Sequence, residues 1–380
     1  MTKPRKPSIL LVANWDSNVG YAWWLMESFW TVIANNFPDY QCHLAYPSIS
    51  EIPEAISSAP ITTHHLDFRE LNSKSFIEQL RFLKQRNIKV IYYSDKPSWA
   101  LRYWLYRLAG VRSIIVHDHT PGLRSPATGL KKLFKTLIHR VPGLAADGMI
   151  ATTEFVRQRH IHVNCIPPHK CHIATNGIPE LTDTTVADPY ALFGIPASRK
   201  ILVMTGRANQ YKGIGFILEC IANLISSGKT PDLHFLFLGD GPDLEHFREQ
   251  TSALNIADHV SLPGRVNNVA QILPACACAV HPSKGEVGYS LSILEYMRAG
   301  LPVIVPDNPS VCGATIDQKT GAIYREGDKE SCCTVTNALM TDKTTCIVMG
   351  SEAKRLQEKK FSLHASHRQL ILALRSQILE

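Results

Sequence analysis

Two series of short, uninterrupted apolar runs constrain this chain more than any other feature. The first series is Ser8 to Asn14, Cys42 to Tyr46, Ile61 to Leu66, Lys89 to Tyr93, Arg112 to His117, Met149 to Thr152 and Cys171 to Thr175. The second is Ile201 to Thr205, Leu233 to Leu238, Val260 to Leu262, Ala277 to His281, Val303 to Val305 and Ala322 to Tyr324. Strands that are apolar at every position, rather than at alternate ones, are covered on both faces and belong in parallel sheets. Helical patterns lie between most of them, for example from about Tyr21 to Asn35 and from Pro97 to Leu108. This alternation predicts an α/β chain with two doubly wound sheets.

A chain of 380 residues exceeds what one hydrophobic core serves. The expected division is a first domain over 1–180, a linker over 181–198 broken by Pro189 and Pro196, and a second domain over 199–360. The amphipathic stretch 361–380 is expected to form a helix that returns to the first domain. None of the ten cysteines forms a Cys-x-x-Cys pair, and most sit in apolar runs such as Ala275 to Ala279, which fits a reducing compartment and no metal site. The net charge of +7 suits anionic ligands or an anionic membrane surface and falls short of a nucleic-acid footprint. No apolar run is long enough to span a bilayer, and the basic N-terminus lacks a signal-type apolar segment. The expected location is cytoplasmic, or peripheral to the inner face of the membrane.

Between Val280 and Gly300 a strand leads through a glycine-bearing loop into a helix, with Ser290 expected as N-cap and Gly300 as terminator. A loop ending at a helix N-terminus offers unpaired amides and a positive dipole end, and Glu286 and Glu295 bracket it. The second domain opens with Gly206, Arg207 and, five residues on, Lys212-Gly213. Two cations in one strand-to-helix loop are able to clamp a diphosphate, Arg by bidentate contact and Lys as a point charge. Gly239-Asp240-Gly241-Pro242 reads as a tight structural reversal, and Gly264-Arg265-Val266 is a further exit on the same edge. In the first domain Gly20 lies in the loop after the first strand, and His117-Asp118-His119 end a strand.

In this order, the Gly-Arg-x(4)-Lys-Gly segment, Gly-Asp-Gly-Pro, Gly-Arg-Val and the Ser290-to-Gly300 helix resemble family-4 retaining glycosyltransferases of the GT-B fold. The resemblance implies two Rossmann-like domains facing each other across a cleft. It implies a nucleoside-diphosphate sugar as donor substrate, with no cofactor and no obligatory metal. Arg207 and Lys212 match the diphosphate clamp, and Glu295 matches the second glutamate of a Glu–seven residues–Glu pattern that binds the ribose hydroxyls. Counting back at that spacing lands on Val287, and Glu286 lies one residue earlier. Either the loop carries a one-residue shift that still presents Glu286 to the sugar, or the first role is altered. Gly20, Arg265, Val266 and the loop Gly288, Tyr289, Ser290 and Leu291 complete the expected donor contacts. By the same resemblance, His119 or Asp118 touches the transferred sugar or orients the acceptor, with Glu286 as the third catalytic candidate.

The acceptor implied is a hydroxyl of a glycan or a lipid-linked sugar. Two alternatives stand beside a hexosyltransferase: a nucleotide-sugar 2-epimerase of the same fold, and a non-catalytic partner subunit. Finally, 130–141 carries apolar residues at Leu130, Leu133, Phe134, Leu137, Ile138 and Val141, with Lys131, Lys132, Lys135, His139 and Arg140 on the other side. Such a helix either lies on anionic lipid or, more commonly, packs its apolar face on its own core.

Overall fold

The computed structural model of the protein describes residues 6–18, 23–69, 72–120, 122, 124–183 and 185–378. The chain divides into two compact units, Met1–Asn176 with Ser366–Glu380, and Gly177–Ala365.

The first unit is built on strands β1 (Ser8–Val12), β2 (Gln41–Tyr46), β3 (Ile61–His65), β4 (Ile88–Ser94), β5 (Ser113–Asp118), β6 (Gly148–Ala151) and β7 (Cys171–Ile173). They form one sheet in the order β3-β2-β1-β4-β5-β6-β7, every pair parallel. Every residue of β1, β5 and β6 is buried, as continuous apolar runs require when helices cover both faces. Leu10, Val12, Ile91, Tyr93, Ile114 and Val116 carry one face of the sheet into the core. The order reverses between β1 and β4, and in doubly wound sheets that reversal opens a crevice at the strands' carboxyl ends. The loop after β1 contains Gly20, which lies outside the described residues. The helix expected from about Tyr21 is present as Trp24–Asn36.

The helix expected from Pro97 begins only at Leu101 and runs to Leu108. The preceding residues are extended because they pair with a neighbouring segment: Ala100 donates to the Leu144 carbonyl, and Ala146 donates to that of Ser98. A helical pattern of side chains cannot override backbone groups already held in a ladder.

The C-terminal helix Leu363–Ile378 contributes its length from Ser366 onward to the first unit. The Ser366 hydroxyl donates to the Thr175 carbonyl at 2.5 Å, and Thr175 N–H donates to Gln369 Oε1 at 3.0 Å.

The second unit holds β8 (Lys200–Thr205), β9 (Leu233–Leu238), β10 (Val260–Gly264), β11 (Cys278–Val280), β12 (Val303–Pro306) and β13 (Gly321–Tyr324). Its order is β10-β9-β8-β11-β12-β13, again all parallel. The reversal here lies between β8 and β11. Leu202, Met204, Phe235 and Phe237 from the sheet pack with Ile217, Ile221 and Phe247 from the helices, each fully buried. Burial of such a side chain contributes roughly 1.5–3 kcal/mol, so the sheet carries the loops on a rigid frame. The stretch after Ile178 is fastened to this unit: Asp188 caps a short helix, Pro189–Phe193, and Ala187 N–H donates to the Gln271 carbonyl.

Candidate active site

In the second unit the chemistry gathers where the strand order reverses. After β8 the chain passes exposed Arg207, then Asn209, whose side chain accepts from Lys212 N–H at 3.0 Å and closes a tight turn, Gln210–Lys212. Gly213 then takes φ +77°, and a Cβ there would lie 2.2 Å from the Pro282 carbonyl oxygen. Only glycine lets the loop after β8 press so closely on the loop after β11.

That contact brings Lys212 to Glu286. Lys212 Nζ lies 2.5 Å from Glu286 Oε1, and His281 Nε2 meets the same oxygen at 2.7 Å. An ionised carboxylate only accepts, so Nε2 of His281 carries the donated proton. Burial works to raise the Glu286 pKa. The hydrogen bond and charge of His281 and the charge of Lys212 outweigh it and hold the carboxyl down at about 2. Glu286 therefore stays ionised, and Lys212 does not stand as an independent cation: it shares its charge with that carboxylate. Glu286 N–H also points to Ser310 Oγ at 3.4 Å, and Ser310 Oγ donates to Asn308 Oδ1 at 2.8 Å.

The helix Leu291–Arg298 opens at Ser290, as its sequence position predicts, but the Ser290 side chain makes no capping hydrogen bond. Ser290 has extended backbone (φ −59°, ψ 128°) and is buried. The first-turn amides thus receive no acceptor from their own cap, which leaves the helix end open to an outside anion. Gly288 takes φ +69° in the approach to it. Tyr289 turns its ring onto Phe361, 4.8 Å between centroids.

Tyr296 anchors this helix to β8. Its hydroxyl accepts from Thr205 N–H at 2.5 Å and lies 2.9 Å from Thr205 Oγ1, fully buried. The carboxylate of the neighbouring residue Glu295 makes no hydrogen bond or ion pair among the described residues, while its backbone carbonyl accepts from Ala299 N–H at 3.0 Å. Burial raises the carboxyl pKa, with Arg298 opposing. This half-buried carboxylate, with no protein donor among the described residues, is free to accept from a ligand's donors. Arg207 and Arg265 are both exposed and pair with no carboxylate among the described residues. Arg265 and Val266 follow β10, the edge strand, whose Gly264 carbonyl accepts from Gly239 N–H at 3.0 Å.

In the first unit the end of β5 gathers a second cluster. Asp118, expected as a catalytic candidate, is consumed internally. Its Oδ1 accepts from Thr120 N–H at 2.8 Å and Thr120 Oγ1 at 2.6 Å, and its Oδ2 from Arg159 Nη2 at 3.0 Å. His160 Nε2 stands 3.4 Å away. Burial raises the Asp118 pKa, but His160, the Thr120 hydrogen bonds and Arg159 prevail and lower it. Arg159 also donates to the Thr120 and Gly122 carbonyls, so this ion pair shapes the loop after β5.

His119 differs. Its backbone N–H donates to Asp95 Oδ1 at 2.5 Å, while neither ring nitrogen has a hydrogen-bond partner. Burial lowers its pKa against the pull of Asp95 and Asp118, which favours the neutral imidazole. Its ring lies 4.2 Å from that of His117, which is itself held by the Tyr92 hydroxyl at 2.6 Å from Nδ1.

Sequence reasoning did not single out His281, Tyr296, Asp95 or Arg159. His281 carried a signal, a histidine at the carboxyl end of an apolar run. The other three act through partners distant in the chain.

Two Rossmann-like sheets with their loop chemistry at the carboxyl edges define the class: the chain has the GT-B fold. A glycosyltransferase from Rickettsia africae superposes with a TM-score of 0.80 over 99% of this chain and 99% of its own, at 13% identity. Anabaena Alr3699/HepE, solved in complex with UDP and glucose, gives 0.72 over 97% and 99%, at 15% identity. Residues 199–342 match the family described as glycosyl transferases group 1.

Among curated relatives, the alpha-monoglucosyldiacylglycerol synthase of Streptococcus pneumoniae is 24% identical over 67% of this chain and 60% of its own length. The UDP-Gal:alpha-D-GlcNAc-diphosphoundecaprenol alpha-1,3-galactosyltransferase of Escherichia coli is 25% identical over 61% of each. The chain therefore spans about three fifths of these relatives' length.

Proposed function

We propose that the protein is a glycosyltransferase that moves a sugar from a nucleoside-diphosphate sugar to a hydroxyl of a glycan or lipid-linked acceptor, with retention at the anomeric carbon. One observation carries this reading. At a single reversal of strand order stand Arg207, the Lys212–Glu286–His281 cluster, a helix N-terminus without a side-chain cap, and the Glu295 carboxylate; neither Arg207 nor that carboxylate has an ion-pair partner among the described residues. Cations and bare amides suit a diphosphate. A desolvated carboxylate suits the vicinal diol of a ribose, whose two hydroxyls both donate.

In the proposed reaction the bond between the anomeric carbon and the diphosphate oxygen breaks. The acceptor oxygen bonds to the same face, and its proton passes to a leaving phosphate oxygen. Arg207 and Lys212 stabilise the charge that develops on the diphosphate, which makes the reaction independent of added metal. Glu286, kept ionised, steadies Lys212 and offers a carboxylate to the sugar hydroxyls. The neutral imidazole of His119, whose ring nitrogens have no hydrogen-bond partner among the described residues, is the first unit's candidate for a contact with the acceptor. The names of the lipid-acting S. pneumoniae and E. coli relatives support a lipid-linked acceptor.

The test is a screen of UDP-, GDP- and ADP-sugars in EDTA, read as nucleotide release and product, with thermal shift in parallel. Donor-dependent stabilisation together with transfer is expected. Conversion of donor alone to its epimer would assign a 2-epimerase instead, and no nucleotide-dependent stabilisation would leave a non-catalytic subunit.

A further inference from the structure

The helix Gly129–Ile138 exposes its apolar stripe. The protein holds it through two polar residues: Lys135 Nζ donates to the Val163 carbonyl at 2.6 Å, and His139, just past its end, is buried with Nε2 2.9 Å from Ser98 Oγ. Its apolar stripe faces outward, with Leu130 84%, Leu133 55%, Phe134 56% and Leu137 53% exposed, and no residue of the helix is buried. An ordinary surface helix buries that stripe on its core. The commoner of the two expectations for this segment is therefore overturned.

The apolar surface continues onto a second element that no sequence pattern flagged. Along Leu101–Leu108, Leu101, Trp104 and Leu108 recur at helical spacing and are 68%, 46% and 68% exposed. Residues flanking each helix meet the other: Trp99, just before the first, lies edge-to-face on Phe134 at 6.0 Å, and a Cβ on Gly143, past the end of the second, would lie 3.0 Å from the Trp104 ring. Contiguous exposed aromatic and aliphatic side chains on this scale mark an interaction site.

Charge decides between occupants. From Lys96 to Ala146 the only Asp or Glu is Asp118, and it is buried in its pair with Arg159. Arg124, Lys131, Lys132 and Arg140 are exposed around the apolar stripe. A second copy of this chain would set these cations against one another. Anionic lipid headgroups would neutralise them, while tryptophans and leucines enter the headgroup–acyl boundary. Among the described residues no helix is long and apolar enough to cross a membrane, so the contact is one of lying on the surface. We propose that the Leu101–Leu108 and Gly129–Ile138 helices together form a monotopic docking surface for an anionic bilayer. This surface is independent of the donor site and stands or falls apart from the proposed transferase reaction.

The test is flotation of the full chain with vesicles of pure phosphatidylcholine and of phosphatidylcholine with phosphatidylglycerol. Flotation with the anionic vesicles only, weakened by salt, is expected. The double variant Leu133→Asp/Phe134→Asp is expected to lower the bound fraction about tenfold or more, and Trp104→Ala to lower it as well. Ile77→Asp, an exposed apolar position on a different helix, is expected to float like the parent protein. These side chains are exposed, so unchanged thermal melts will show that the variants fold. Failure of the parent to float, equal flotation of the double variant, or a dimer by sedimentation that Leu133→Asp/Phe134→Asp dissociates without any lipid binding would each overturn the proposal.

Discussion

Lys212 and Glu286 stand 74 residues apart in the chain and 2.5 Å apart in space, Nζ to Oε1. Gly213 makes this pairing attainable, because its missing side chain lets the loop after β8 lie against the Pro282 carbonyl. With His281 on the same carboxylate oxygen, the pair forms a charged knot at the reversal of strand order in the second unit.

The Glu286 carboxyl, held down at about 2, gives the folded state stability that is full above the usual carboxylate range. That stability is lost as pH falls from about 4.3 toward 2, because the unfolded chain takes up the proton first. Glu286→Gln is expected to lose on the order of 2–3 kcal/mol at neutral pH, and the loss should shrink to near zero at pH 2. Urea unfolding across that window checks it; a constant difference at all pH values would contradict the assignment.

Arg207 is exposed and pairs with no carboxylate among the described residues, so its removal leaves folding nearly untouched, within about 0.5 kcal/mol. Arg207→Ala is nonetheless expected to weaken nucleoside-diphosphate binding by about 10- to 100-fold, the loss of a charge-assisted contact of roughly 1.5–3 kcal/mol. Calorimetric titration with UDP and GDP measures it, with Lys229→Ala as an exposed control.

Glu295 carries an opposite sign. Burial raises its pKa, so its ionised form disfavours the folded state at pH values above the raised pKa. Glu295→Gln is expected to raise the melting temperature of the free protein at pH 7 and to weaken nucleotide binding about tenfold. In the parent protein the affinity should decline on acidification at a pH above the ordinary glutamate value. A variant that loses stability and keeps affinity would remove Glu295 from the site.

Asp118 and His119 are neighbours with opposite expected phenotypes. Asp118→Asn leaves the Arg159 guanidinium buried without its counter-charge and is expected to cost about 3 kcal/mol or more, read as a lowered urea midpoint. His119→Ala removes a ring whose nitrogens make no hydrogen bond among the described residues, Nδ1 standing 3.9 Å from Asp95 Oδ1. It is expected to lower kcat for transfer by about 10- to 100-fold while donor affinity stays unchanged. Equal losses of stability in both variants would make His119 structural as well.

The strand inventory of both sheets was legible in the sequence because parallel-sheet strands are local objects. Each is a continuous apolar run bounded by turn residues, and Ser8 to Val12 or Leu233 to Leu238 needs no knowledge of its neighbours to be read. Arg207, Lys212 and Glu286 were legible as residues at strand-to-helix exits for the same reason, and Glu295 as a residue of the helix that follows. Their states were not. Whether Lys212 stands free or Glu286 holds it depends on the approach of two loops far apart in sequence, and Tyr296 is an anchor only because Thr205 meets it across the fold.

The helix Gly129–Ile138 makes the division sharpest. Its period places leucines and a phenylalanine on one side and lysines on another, and that much belongs to the sequence alone. Which side meets the protein was decided by the Val163 carbonyl, which accepts from Lys135, and by the Ser98 hydroxyl, which donates to His139 Nε2 because Nδ1–H is held by the Lys135 carbonyl; together they turn the apolar stripe outward. Periodicity along a chain records which residues share a face. Burial and pairing are long-range properties, and only the folded arrangement assigns that face a neighbour.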